Sequence, residues 1–374
     1  MSRARHPGNR GRQSIATAVV MASACVTALA PPAWAADPSG CTRDGTHIVC
    51  TQGVPKGQTL RGTAGDDVIE ITGTVYGTVD GLAGNDAITV RGRDGARTDT
   101  TRGGDGDPAV DEGGWVLGGD GHDVIALTGG KGANGRNAHI RGSSVYDGGN
   151  GGQGGEAVDG GAVEGGRGVN IITLTGGDGG NGGDGRTISP YPAHGGSGGS
   201  GGAGLRHDAQ VVVAADRRGQ LTVNGGHGGQ GNYGSSWTKN GVGGNGGFAV
   251  LSGDVIGGPA PDGAVVHITG GDAGSGPRVR NRIGGFGMWF GTVTGTPGDD
   301  EISVQGGHHT NRSQSAGLVG STIHGEDGDD TITANTNAGT VDCGDGGKDA
   351  FFFTMQRGVV KKSCERITYA RPGR

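Results

Sequence analysis

Short stretches in which aliphatic and polar residues alternate recur along the chain, most of them followed by glycine. They are IEITG (69–73), ITVRG (88–92), VIALTGG (124–130), IITLTGG (171–177), LTVNGG (221–226), VVHITGG (265–271), ISVQGG (302–307) and TITA (331–334). A period of two predicts short strands with one buried face. The Gly-Gly pairs at 129, 176, 225, 270 and 306 stand 47, 49, 45 and 36 residues apart, whereas near both ends the repeat shortens to 19. One architecture explains both spacings: an all-β, right-handed parallel β-roll or β-helix solenoid, compact at its ends, with glycine-rich insertions in its middle turns.

A second pattern, nine residues long, recurs mostly just ahead of these strands. Copies begin at Gly62 (GTAGDDVIE), Gly81 (GLAGNDAIT), Gly118 (GGDGHDVIA), Gly295 (GTPGDDEIS), Gly325 (GEDGDDTIT) and Gly344 (GDGGKDAFF). Each fits G-G-x-G-x-D-x-U-x, with the second glycine replaced at Thr63, Leu82, Thr296, Glu326 and Asp345. Glycine lets the backbone turn sharply and aim carbonyls at a cation, and Asp adds a charged oxygen. In the middle the corner persists without its acid: GGRGVNIIT carries Asn170 in the Asp place, and the segments around Asp216 (ADRRGQLTV) and Asp262 (PAPDGAVVHIT) depart further.

On these copies the chain resembles the RTX, or hemolysin-type, calcium-binding repeat proteins, which are secreted bacterial β-rolls. The resemblance implies calcium as cofactor, held between the corners of successive turns by loop carbonyls and Asp carboxylates. Carried over, the ligands are Asp67, Asp86 and Asp123 in one group and Asp300, Asp330 and Asp349 in another, with carbonyls near Gly62, Gly65, Gly81, Gly84, Gly118, Gly121, Gly295, Gly298, Gly325, Gly328, Gly344 and Gly347. Asp67 with Asp86, and Asp330 with Asp349, are the best-spaced pairs, because Asp123 and Asp300 border longer insertions. Asp66, Asp299 and Asp329, in the variable fifth position, rank second. A spacing of 19 reads as one β-roll turn made of two nine-residue halves.

The insertions have their own period. They read GGNGGQGG (148–155), GGDGGNGGDG (176–185), GGSGGSGGAG (195–204), GGHGGQG (225–231) and GGNGG (243–247). Gly-Gly-x triplets match the three-residue turn of a polyproline-II-type helix, which glycine lets pack closely against its neighbours. Arms run out and back around more ordinary tips: 136–146, 186–194, 232–240 and 277–282. The expectation is a polyglycine-II-like layer beside the solenoid, similar to the glycine-rich surface proteins of mycobacteria and some phage adhesin tips.

Composition narrows the rest. With 90 glycines in 374 residues, 31% hydrophobic and 4% aromatic residues, the chain is too poor in apolar material for an ordinary globular core of this length. Arg3, Arg5, Arg10 and Arg12, the apolar run 15–30 and Ala33-Trp34-Ala35 read as a signal peptide with its cleavage site. Its removal takes the formal charge from -6 to -10, which suits divalent cations and argues against nucleic acid. No later segment reads as a membrane span. Ala22-Ser23-Ala24-Cys25 is a poor lipidation box, lacking the usual leucine. Cys41, Cys50, Cys343 and Cys364 remain, an even number suited to disulfides outside the cell. Of three possible pairings, Cys41–Cys50 with Cys343–Cys364 would staple the two ends. The expected layout is a signal peptide (1–35), a stapled cap (36–61), RTX-like turns (62–130), turns with glycine-rich arms (131–294), RTX-like turns (295–353) and a cap (354–374).

The function expected is a secreted, extracellular or cell-wall-associated calcium-binding solenoid with a structural or adhesive role, whose tips meet an extracellular glycan or cell-surface component. The alternative is a β-helix enzyme acting on polysaccharides; no G-x-S-x-G, H-E-x-x-H or P-loop accompanies it, and the expectation is no enzyme. Ice or mineral binding needs flat Thr or acid arrays, and Thr128, Thr175 and Thr269 are too few as read from sequence. His308-His309 reads as a polar tip. Tyr146, Tyr191, Trp237 and Trp289 are candidates for sugar stacking or for packing of tip against tip. Phe351–Phe353 with Val359-Val360 reads as a terminal hydrophobic plug.

Overall fold

A computed structural model of the protein describes residues 36–97, 102–188, 191–214, 216–235, 238–277, 282–354 and 359–369. The expected signal peptide, Cys25 and Trp237 lie outside the described residues.

Every expected strand is present, and all stack into one parallel ladder: Val68–Thr72, Ala87–Arg91, Val124–Thr128, Ile171–Thr175, Gly219–Asn224, Ala264–Thr269, Glu301–Gln305 and Thr331–Ala334. An antiparallel hairpin, Cys41–Asp44 with His47–Cys50, opens this ladder, and Ala350–Phe353 and Arg366–Tyr369 close it. The register places Ile69, Ile88, Ile125, Ile172, Leu221, Val266, Ile302 and Ile332 in a single inward file. All eight are buried.

Two further ladders complete each turn. One runs from Thr59–Arg61 through Trp115–Asp120, Ala162–Arg167 and Gln210–Val212 to Leu318–His324, and buries Leu60, Val79, Val116, Val163, Val211, Val255, Val293 and Ile323. The other is short: Val158–Asp159, Leu205–Arg206, Val250–Leu251 and Met288–Trp289, joining the first at Leu318–His324. Isolated bridges extend it through Val54, Val75 and Val110. The fold is therefore a parallel β-solenoid of three-sided turns whose core is a thread of stacked aliphatic files, which needs few apolar residues per turn. The spacing of 19 is one whole turn with a single buried Asp corner, not two nine-residue halves: segment 74–81 supplies Val75 and Val79 to two sides, and its one acid, Asp80, lies on a strand and accepts the Leu82 N–H.

The glycine-rich arms leave the corner between the first ladder and the short one. Their amides pair in triplet period: Gly177, Gly180 and Gly183 donate to the carbonyls of Gly155, Gly152 and Gly149 on the preceding returning arm, at 2.7–2.8 Å. Gly176, Gly179 and Gly182 donate to Asn224, His227 and Gln230 on the next outgoing arm, at 2.8–2.9 Å. The arms are thus bonded on several sides, as polyglycine-II packing requires. Side chains at the third position cap amides one turn away: Asn134 Oδ1 accepts from Asn181 N–H, and Asn181 Oδ1 from Gln230 N–H, both at 2.8 Å.

Both ends are stapled, Cys41 to Cys50 and Cys343 to Cys364. Phe351 and Phe353 are buried as the plug reading expects, but Val360 is 52% exposed and outside it. At the tips, Tyr146 stacks on His139 within its own tip, Arg186 lies 4.3 Å over the Tyr233 ring of the next one, and Tyr191 is exposed. His308 Nδ1 lies 3.0 Å from Asp272, so His308-His309 acts as a polar tip.

A Cβ on Gly199 would strike the Gly152 carbonyl, whereas one on Gly347 would meet nothing nearer than 3.8 Å. Gly199→Ala is expected to destabilise by about 1–3 kcal/mol or more, because overpacked backbone cannot yield. Gly347→Ala is expected to leave the melting transition nearly unchanged; equal effects would contradict the close-packed arm layer.

Candidate functional site: the aspartate corners

Each Asp corner sits between the Leu60–Ile323 file and the first ladder, and the parallel register stacks the corners directly over one another. Asp67 N–H donates to Asp86 Oδ1, Asp86 N–H to Asp123 Oδ1 and Asp123 N–H to Asn170 Oδ1, at 2.8, 2.9 and 3.0 Å. At the other end Asp300 N–H donates to Asp330 Oδ1 and Asp330 N–H to Asp349 Oδ1, both at 2.8 Å. All six acids are at most 3% exposed. The long insertions beside Asp123 and Asp300 do not displace them, because the arms leave from a different corner.

Glu365, which the nonapeptide pattern misses, closes the second file by accepting the Asp349 N–H at 2.8 Å. Its only signal in the sequence is a separation of 16 residues from Asp349, close to one short turn. In the middle, Gly219 and Ala264 take the acid's place, so the structure keeps the two groups apart. Asp216 instead caps the Gly168 amide at 2.7 Å, and Asp262 pairs with Arg217 at 3.7 Å.

The replaced second glycines fall into two kinds, a distinction the sequence does not reveal. Thr63 donates its amide and hydroxyl to Asp67, and Thr296 does the same for Asp300. These two acids are satisfied within their own turns. Leu82 and Glu326, and the retained Gly119, instead adopt positive φ (76°, 75° and 110°). Such φ is costly for a non-glycine residue. In these three turns Asp86, Asp123 and Asp330 each have a buried Oδ2 with no hydrogen-bond partner. A Cβ on Gly81, Gly118 or Gly325 would collide with that Oδ2 and with the carbonyl of Gly118, Gly165 or Cys343 in the next turn.

The last copy is displaced by one residue. Cys343 stacks on Gly325 and Gly344 on Glu326, so the corner begins at Cys343, and one extra residue precedes Asp349. The first carbonyl of that corner belongs to Cys343 and not to Gly344. The fifth-position acids cap amides: Asp66 Oδ1 accepts Asn85 N–H, Asp299 Oδ1 accepts Asp329 N–H, and Asp329 Oδ1 accepts Gly347 N–H. That use fits a turn-stacking role better than a ligand role.

Asn170 shows what the unpaired oxygens lack. It occupies the acid's position, and its Nδ2, over Gly165, donates to the Gly166 carbonyl at 3.0 Å. An Asp there points a second acceptor where the amide has a donor, and needs a cation or a proton to compensate. Burial pushes Asp86 up to about 6, with the charges of Asp123 and Asp67 adding to it. Burial raises Asp300 to about 6 and, reinforced by Asp300 and Asp349, Asp330 to about 7. Asp123 and Asp349 are raised by burial as well. Among the described residues, no three His, Cys, Asp or Glu side chains gather closely enough to hold a metal by themselves. Backbone carbonyls would have to supply most of the oxygens.

The chain matches no known protein family and no curated protein. Among solved structures it is similar to a springtail antifreeze protein from Granisotoma rainieri, a bundle of nine polyproline type II helices, at 22% identity over 52% of this chain and 92% of that one, with a TM-score of 0.12. It is also similar to a hyperactive, Ca2+-dependent, β-helical antifreeze protein from an Antarctic bacterium, at 16% identity over 89% of this chain and 84% of that one, with a TM-score of 0.20. Both likenesses are too loose to carry those proteins' properties to this chain.

The raised acids set the pH dependence of the metal-free protein. An unfolded Asp releases its proton near pH 3.9, whereas these hold theirs to about 6 or 7 in the native state. Between those limits the native state binds more protons, so stability falls as pH rises. In chelator, the melting temperature is expected to drop from pH 5 to pH 7.5, and Asp330→Asn to flatten that slope. A flat or rising profile in the unmodified protein would contradict the buried-acid account.

Proposed function

We propose that the chain is a secreted, calcium-stabilised β-solenoid with a structural or adhesive role rather than an enzyme. The observation that carries this reading is the contrast between Asn170, whose amide bonds the corner carbonyl, and Asp86, Asp123 and Asp330, whose second oxygen has no donor. Carboxylate and carbonyl oxygens in one fold are the donor set of a hard cation. Asp86 with the Gly118 carbonyl, Asp123 with that of Gly165, and Asp330 with that of Cys343 are the groups that would hold it. Bound calcium would supply the positive charge that stacked buried carboxylates need. With a dissociation constant of roughly 0.1 mM and about 1 mM calcium outside the cell, each site contributes about 1.4 kcal/mol.

The two disulfides, and the signal-peptide pattern expected from the sequence, support an extracellular setting. A non-catalytic role is supported by the occupation of the acids, since Asp66, Asp105, Asp147, Asp178 and Asp272 each cap an amide one turn away. Turnover of uronic-acid polymers by the purified protein would overturn that part of the reading.

One observation favours a second reading, binding to ice. The outward register sets Thr128, Thr175, Asn224 and Thr269 in one file, and Thr89, Ala126, Thr173, Thr222, His267, Ser303 and Thr333 in another. Most of these side chains are small, with His267 interrupting the second file and Arg91 and Gln305 bounding the first, and they repeat at the strand spacing of ~4.8 Å. Thermal hysteresis of a concentrated solution would establish this reading, and its absence would dismiss it.

The calcium reading is tested by thermal unfolding at pH 7.5, with calcium and with chelator. Calcium is expected to raise the melting temperature by about 2–4 °C per kcal/mol bound. Asp86→Asn is expected to melt higher than the unmodified protein in chelator, because the amide supplies the missing donor, and to respond less to calcium. Asp216→Asn should behave as the unmodified protein. No calcium shift, or equal responses in all three proteins, would remove the central functional claim.

A further inference from the structure

Where the returning arms meet the short ladder, their last residues stack in one outward file: Glu156, Ala203, Phe248 and Phe286. The next outward file is Arg206, Leu251 and Trp289. Ala203 is the one short side chain between Glu156 and Phe248, and the notch over it encloses about 370 Å³. That is within the usual range for a small-molecule site.

The two walls differ in chemistry. On one side Phe248, Phe286 and Trp289 pack edge to face, with Trp289 5.3 Å from Phe248 and 5.2 Å from Phe286. On the other, Arg206 Nη1 donates to Glu156 Oε1 at 2.5 Å. The Arg206 Nε–H is buried and meets no acceptor among the described residues. Gln153, Ser200 and Asn245 add amide and hydroxyl groups around the rim.

We infer that this groove binds a neutral saccharide. An aromatic wall facing polar groups fits a ligand with C–H faces and a hydroxyl rim, which is the chemistry of a pyranose ring. A sugar hydroxyl accepts from the exposed end of the Arg206 guanidinium, whose side chain is 38% exposed, and donates to the second oxygen of Glu156. The positive charge of Arg206 is already met by Glu156, and the chain carries a net charge of -6, so a uronate gains nothing over a neutral sugar. The groove lies at the roots of the arms rather than at their tips, and of the sugar-stacking candidates named from the sequence it contains Trp289. The inference deepens the adhesive reading above by naming a partner class, while its chemistry is independent of the calcium corners.

The test is isothermal titration calorimetry of the full chain in saturating calcium with cellotetraose, maltotetraose and xylotetraose, and with tetragalacturonate as the anionic comparator. At least one neutral tetrasaccharide is expected to bind with a Kd below about 1 mM. Trp289→Ala, Arg206→Met and Ala203→Leu are each expected to weaken it by about tenfold or more. Ala203→Leu fills the notch over a side chain that is itself 5% exposed, and its melting temperature, measured alongside, separates a loss of binding from a loss of fold. Failure of all three neutral sugars, binding unaffected by Ala203→Leu, or tighter binding of tetragalacturonate would overturn the inference. The calcium shift in the same samples keeps that failure separate from a failure of the calcium reading.

Discussion

Parallel, in-register stacking governs this molecule, because it sets every side chain over its counterpart one turn away. For Ile69, Ile88, Ile125 and Ile172 the consequence is favourable, since each covers the next and few apolar residues suffice. For Asp67, Asp86 and Asp123 the same rule builds a file of buried acids. Two carboxylates one strand spacing (~4.8 Å) apart repel by about 3 kcal/mol at an effective dielectric of ~20. That is a sizeable part of a domain's net stability. Thr63 and Thr296 relieve the problem at two corners with hydroxyl and amide donors, and Asn170 removes it by losing the charge. Asp86, Asp123 and Asp330 keep both the charge and the unpaired oxygen.

The glycine arms obey the same rule with the side chains removed. Stacked turns bring arm over arm, and only glycine lets the Gly199 backbone lie against the Gly152 carbonyl. Every third position remains free to face outward, and there polar residues bridge successive turns: Asn134 caps Asn181, and Asn181 caps Gln230. These caps resemble the corner hydrogen bonds of Asp66 and Asp299. A single device, a side-chain oxygen accepting the amide one turn away, therefore serves both corners and arms. Ordering so many glycines is entropically costly, and the dense backbone bonding offsets it.

Much of this was legible in the sequence. Alternation located all eight strands, the Gly-Gly spacing located the arms, and the drift from Asp to Asn170 and beyond located the gap between the two acid groups. What escaped depends on backbone direction. Leu82 and Thr63 look like equivalent losses of glycine, yet one takes positive φ and leaves the Oδ2 of its Asp without a donor while the other holds its Asp in place. The displaced last corner at Cys343 and the closing role of Glu365 follow from register, which local motifs do not encode. The third side of each turn escaped because strands of two residues, such as Val158–Asp159, carry no detectable period.

The most direct test of the account is anomalous diffraction from crystals of the protein soaked in terbium, a calcium substitute. The account predicts peaks beside the Oδ2 atoms of Asp86, Asp123 and Asp330, and none beside Asn170, Gly219 or Ala264. An absence of peaks at the three acids, or an equal peak in the Asn170 turn, would contradict it.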